Sequence, residues 1–165
     1  MTQPIAIIIG AIVGGLFGTA GALLTAVLTH KAAERKRADA LFSTALGFLG
    51  GGTQRRNLGI AAISLYRREF PWYNKLCAEM LIGSAIYLLT ESKQKDASHE
   101  VFNLHRIMDL LKDIASDLKD RKDYKRLEKV VDERIANYEP KPGRGLWVDK
   151  SHLTTWRNDL KKVTT

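Results

Sequence analysis

Residues 4–30 read PIAIIIGAIVGGLFGTAGALLTAVLTH, and this stretch decides the fold. From Ile5 to Leu28 there are 24 residues and no charge. A helix of that length spans about 36 Å, and the hydrocarbon core of a bilayer is about 30 Å thick. Water offers such a helix no polar face. The alternative, a core helix buried in a soluble fold, needs cover on all sides. The strongly charged remainder of the chain is poor material for that. A cleaved signal peptide is the other alternative, but it begins with positive charge, and Met1-Thr2-Gln3-Pro4 has none. The expectation is one transmembrane anchor over residues 1–30.

Positive charge follows the apolar run instead: Lys31, Arg35, Lys36 and Arg37, with His30 beside them. Lys and Arg stay on the cytoplasmic side of a membrane. The reading is therefore a single pass through the inner (plasma) membrane, N-terminus out, with residues 31–165 cytosolic. Within the anchor, Gly10, Gly14, Gly18 and Ala22 recur every four residues. Helix backbones approach closely along such a ridge, and in lipid that contact drives association. A homo-oligomer in the bilayer is expected.

Outside the anchor the chain is basic, with net charge +8 and a pI near 9.7. The excess is uneven. Residues 31–68 carry net +6, residues 69–139 net −2 and residues 140–165 net +4. Anionic lipid accounts for the first excess, at about 1 kcal/mol per basic residue near the surface. It does not account for the last. The one cysteine, Cys77, excludes an intramolecular disulfide and reads as a small core residue.

Helical periodicity runs through the rest. Residues 31–49 continue as a basic juxtamembrane helix or stalk, with an apolar stripe of Ala38, Leu41, Phe42, Ala45 and Leu49. Gly50-Gly51-Gly52 ends it. Residues 50–165 then form a cytosolic α-helical domain of about five helices, so the fold class is all-α. Thr53 is expected to cap a helix over 54–70 whose apolar face is Leu58, Ala61, Ala62, Leu65 and Tyr66. Pro71 separates it from a helix over 72–91 holding LCAEMLIGSAIYLL, which has one charge in fourteen residues. Fourteen residues suit a core helix better than a second span. A polar loop, 92–98, precedes a helix over about 99–120 with inward Val101, Leu104, Met108, Leu111, Ala115 and Leu118. Amphipathic helices over 124–138 and about 152–163 follow, joined by the loop Pro140-Lys141-Pro142-Gly143-Arg144-Gly145.

Chemistry of a catalytic kind has no signature here. There is no GxSxG elbow, no phosphate-binding GxxxxGK[ST] loop and no Cys/His set at metal spacing. His99, Glu100 and His105 read HExxxxH, and six residues turn a helix by about 600°, so the two histidines do not share a face. No enzyme activity, metal or cofactor is expected. Two places suit an anion. Thr53, Arg55 and Arg56 open a helix beside three glycines, where free backbone N–H groups point outward. In the tail, Arg144, Trp147, Lys150 and His152 combine cations with a stacking surface, beside glycine-rich backbone. His105 and Arg106 are added as helix residues able to face the same ligand. The bland alternatives are exposed arginines near lipid and a tail docked by its tryptophans.

Three function classes fit these residues. The first is a non-enzymatic sensor or effector whose basic helical domain binds an anionic ligand, a signalling (cyclic oligo)nucleotide, and acts on the membrane as an oligomer. The second is a membrane-tethered helical adaptor that docks a protein partner. The third is a tethered binder of single-stranded nucleic acid.

The layout resembles the small membrane-anchored ancillary effectors of bacterial type III CRISPR antiphage defence. In that group a short membrane segment precedes a helical cytosolic domain that binds cyclic oligoadenylate. The resemblance spans the whole chain as architecture. The stretches GGGTQRRNLGI (50–60) and PGRGLWVDKSH (142–152) would suit phosphate and adenine contacts. It implies a symmetric ligand held among copies and loss of membrane integrity on activation, with no chemistry on the ligand. The site residues above rest on the physical argument alone.

Overall fold

The computed structural model describes the backbone of residues 3–93, 98–118, 121–139 and 144–164, and the side chains of these from Thr25 onward. All of the regular structure among the described residues is helical. The helices are α1 (Gln3–Leu49), α2 (Thr53–Glu69), α3 (Asn74–Thr90), α4 (Ser98–Ala115), α5 (Lys122–Ala136) and α6 (Lys150–Thr164), with a 3₁₀ turn at Pro71–Tyr73. The all-α expectation holds. Two units compose the chain, Met1–Ala40 and Leu41–Thr165.

In the first unit, residues 25–37 are exposed, Val27 and Leu28 included. Thr29 Oγ1 donates to the Thr25 carbonyl (2.6 Å), and His30 faces Glu34 one turn on (3.4 Å). Among the described residues no helix is long and apolar enough to cross a membrane. Most of the apolar run, and the ridge of Gly10, Gly14, Gly18 and Ala22, have side chains outside the described residues. So do the expected loop residues 140–143.

The second unit begins with the last turns of α1. Gly50–Gly52 break the helix, and Gly52 takes the cap position of α2 in an extended conformation. Thr53 was expected there. It is instead the first residue of α2, and its hydroxyl reaches across to α4. α1 and α2 approach closely at Gly59. A Cβ there would lie 2.9 Å from the Leu49 nitrogen and 3.1 Å from the Ala45 carbonyl oxygen. At the other end of this pair, Phe42, Tyr66 and Tyr73 form an aromatic cluster with ring centroids 5.3–5.6 Å apart.

The buried face of α2 shares Tyr66 with the expected one and otherwise differs from it. Arg56, Gly59, Ile60, Ile63 and Tyr66 point inward. Leu58 and Leu65 point out, 57% and 69% exposed. Close packing at Gly59 sets this register, because only the glycine edge of the helix lets α1 approach so near. The Pro71 break turns the chain through a 3₁₀ turn before α3 starts at Asn74. α3 packs on α4 and α5, α2 on α4, and α5 along α6. Ile60, Leu81, Leu88, Leu104, Ile107 and Leu127 lie at the centre, each fully buried. The Tyr124 hydroxyl donates to the Leu111 carbonyl at 2.8 Å, and burial raises its pKa well above the phenol range.

The segment before α6 is held by backbone. Gly145 N–H donates to Ser92 O (3.1 Å) and Leu146 N–H to Leu88 O (2.8 Å), so one of the last carbonyls of α3 is satisfied. Gly145 sits at φ +81°, where a Cβ would lie 2.0 Å from the Leu89 carbonyl oxygen. Leu146 and Val148 are buried while Trp147 between them faces out, as an extended segment alternates.

Candidate functional site

The first expected anion site is a structural lock. Arg56 is 6% exposed and Glu100 1%. The Arg56 guanidinium ion-pairs with Glu100 Oε1 through Nη1. Its Nε donates to Leu49 O (3.3 Å) and its Nη2 to Gly51 O (2.9 Å). Glu100 also accepts from the Thr53 hydroxyl (2.9 Å) and, on its other oxygen, from Asn103 Nδ2 (3.2 Å). Asn103 Nδ2 bonds Thr53 O as well (3.1 Å). A buried ion pair is tolerated when its remaining donors and acceptors are satisfied in this way. The network ties the end of α1 to the starts of α2 and α4. An anion reaching Arg56 or Thr53 would have to displace Glu100. Arg55, next to them, is exposed.

The other candidates divide. Arg106 donates to Asn57 Oδ1, which again joins α4 to α2. Arg144 faces Glu91 at 3.7 Å with its side chain 80% exposed, a surface pair of little weight. Trp147 is 41% exposed, and Lys150 Nζ lies 5.7 Å from the Tyr138 ring centre. His105 and His152 do come together. Their rings meet edge to face at 4.5 Å, and both lie against Trp156, at 4.8 and 6.2 Å. Burial lowers the His105 pKa, the charge of His152 lowers it further, and Asp109 opposes both. Among the described residues no group of three His, Cys, Asp or Glu is placed to hold a metal ion.

Two features were missed in the sequence. One is Glu100, read only as part of a metal motif. The signal for it was Arg56 itself, in register with Ile60 and Ile63 on what proves to be the buried stripe. A cation on an apolar stripe needs a buried acid. The other feature is apolar surface. Besides Leu58 and Leu65, Trp72 is 65% and Phe102 58% exposed. An open groove of about 470 Å³ also runs past Leu46, Leu49, Arg56, Met80, Ser84 and Tyr87.

Cys77 is fully buried, and burial pushes its thiol up to about 11. The thiolate needed for nucleophilic chemistry is thereby disfavoured.

No family model, no curated protein and no solved structure matches this chain.

Proposed function

We propose that the chain is a non-enzymatic, membrane-anchored helical adaptor that docks a protein partner on the cytosolic side. One observation carries this reading: Leu58 and Leu65, two turns apart on the outer line of α2, stand 57% and 69% exposed. Exposed apolar side chains in a row suit helix-in-groove recognition, where anchors recur at i and i+7. Arg55 and Arg68 are exposed on the same helix, so the fitting partner is an amphipathic segment with acidic flanks. Meanwhile Arg56 and Thr53, two of the residues offered for an anion, are engaged with Glu100, and Arg106 bonds Asn57 at the surface.

The test is site-specific photo-crosslinking in intact cells, with the reactive residue at position 65 and a control at Lys129 on α5. A discrete adduct at 65, absent at 129 and lost in a Leu58→Glu variant, supports the adaptor. No adduct at 65 removes it.

A second reading keeps the anionic ligand and moves it to the α4–α6 side. The convergence of His105 and His152 against Trp156 favours it, with Lys150 at the head of the same helix. A cyclic oligonucleotide titrated into the purified full-length chain tests it. Saturable binding that His152→Ala abolishes supports it, and no binding leaves the adaptor. Membrane disruption and antiphage defence, implied by the resemblance of layout, follow only from this second reading.

A further inference from the structure

We propose that the outer face of the first half of α5 docks on an anionic phospholipid surface. The proposal rests on the reading above only in that the anchor keeps the chain at a bilayer, and it uses a helix other than α2.

Tyr124, Leu127 and Val131 form the buried line of α5. Opposite them, Lys122, Lys125, Arg126 and Lys129 are all exposed. At 3.6 residues per turn the four fall within an arc of about 100°. They stand three and four residues apart, so like charges are neighbours, which destabilises a helix. Lys122 and Lys125 also lie in the first turn, where the helix dipole disfavours cations. The acids of α5 relieve little of this. Glu128 is turned aside and accepts from the Thr164 hydroxyl at 2.8 Å. Asp132 is partly buried, and Glu133 meets Lys129 only at 3.9 Å, with both side chains well exposed. Among the described residues no acid, Asp123 included, lies within ion-pair distance of Lys125 or Arg126.

The end of α6 adds charge at the same place. Arg121 donates to Val163 O and Thr164 to Glu128, which brings the last turn of α6, with Lys161 and Lys162, to the start of α5. Asp159 faces both Lys162 and Lys112, at 3.6 Å each, so its one charge is shared between them.

Such a cluster fits an array of negative charge. Among the described residues no large apolar or aromatic side chain is exposed on α5 or α6, so a single nucleic-acid strand finds no ring to stack on. A leaflet of anionic lipid needs none, because it attracts each nearby Lys or Arg separately. An anchored chain meets that leaflet at high effective concentration, where weak contacts add up.

Fluorescence quenching on the full chain in vesicles tests the proposal. Cys77→Ala removes the one native thiol, and Ala136→Cys, exposed at the far end of α5, carries a fluorophore. Leu65→Cys on α2 is the control. The vesicles are phosphatidylcholine alone, or with phosphatidylglycerol at about one lipid in three, and both contain a lipid with a nitroxide on its headgroup. The label at 136 is expected to be quenched about threefold more in the mixed vesicles, with the difference lost at high salt, and the label at 65 equally in both. Lys125→Glu/Arg126→Glu should abolish the difference, and Lys125→Arg/Arg126→Lys should keep it. Equal quenching at 136 in both vesicles would overturn the proposal, as would a difference that survives the charge reversal. A duplex oligonucleotide bound by the native chain and lost on reversal, with no lipid-dependent quenching, would overturn it in favour of nucleic acid. Flotation with pure phosphatidylcholine vesicles reports the anchor alone. A chain that floats there without composition-dependent quenching keeps the anchor and loses the α5 contact. One that floats only with phosphatidylglycerol, and not after the reversal, loses the anchor and keeps the contact.

Discussion

Arg56 on α2 and Glu100 on α4 form an ion pair closed to solvent, and hydrogen bonds around it reach Leu49 O of α1, Gly51 O of the glycine break and Thr53 of α2. It holds together α1, α2 and α4 at the point where three glycines interrupt the chain. Removing one partner leaves an uncompensated buried charge. Glu100→Gln should therefore destabilise the helical unit by about 3–5 kcal/mol, and Arg56→Met by a similar amount. The double variant Arg56→Met/Glu100→Met should lose much less than the sum. Denaturant unfolding followed by circular dichroism on the full chain measures all three. Additive losses would show that the two side chains do not act as a pair.

Gly59 and Gly47 give opposite expectations for the same substitution. Gly59→Ala puts a methyl against the Leu49 and Ala45 backbone, which cannot retreat cheaply, and should cost about 1–3 kcal/mol. Gly47→Ala meets nothing within 4 Å and should stabilise by up to about 1 kcal/mol through helix propensity. Thermal unfolding of the two variants compares them directly.

The all-α class, the glycine break and the apolar core of α3 were legible because each is a strong local signal. The face of α2 was not. Counting apolar residues favours Leu58, Ala61, Ala62, Leu65 and Tyr66; Tyr66 is buried as expected, but the tightest contact needs Gly59, and that contact rotates Leu58 and Leu65 outward. Burial of Arg56 follows from the same rotation, so the anion reading and the wrong face share one cause. In the tail, Gly145 was read as backbone free to approach phosphate. It is glycine because the Leu89 carbonyl occupies the place of a side chain. His105 and His152 were each picked out, but their meeting depends on how α4 packs against α6, which no spacing in the sequence encodes.

Gly145→Ala should loosen the segment that carries Leu146 and Val148 into the core. A positive φ and a carbonyl in the way both oppose the side chain. A loss of about 1–3 kcal/mol is expected. Limited proteolysis around residue 145 should become several-fold faster than in the native chain.

His105 makes stability depend on pH. Its pKa lies below its ordinary value of 6.5 in the folded chain, chiefly through burial. Between the folded and unfolded values the unfolded chain binds more protons, so stability rises with pH through that window. Its contribution is complete above about pH 6.5 and lost as pH falls through the folded value. A His105→Phe variant should show a flatter profile from pH 5 to 7, measured by denaturant midpoint. An unchanged slope would mean that His105 titrates alike in both states.

Cys77 should resist thiol reagents in the native chain at pH 8 and react fully in denaturant. Its burial and its raised pKa both act against the thiolate. Rapid labelling without denaturant would show that α3 opens readily.

Residues 5–28 are what would hold the α2 docking line at a membrane, and one fractionation tests that most directly. Cells making the full chain are lysed, washed with alkaline carbonate and ultracentrifuged. The chain is expected in the membrane pellet, released only by detergent. Recovery in the carbonate supernatant would contradict a membrane-anchored adaptor.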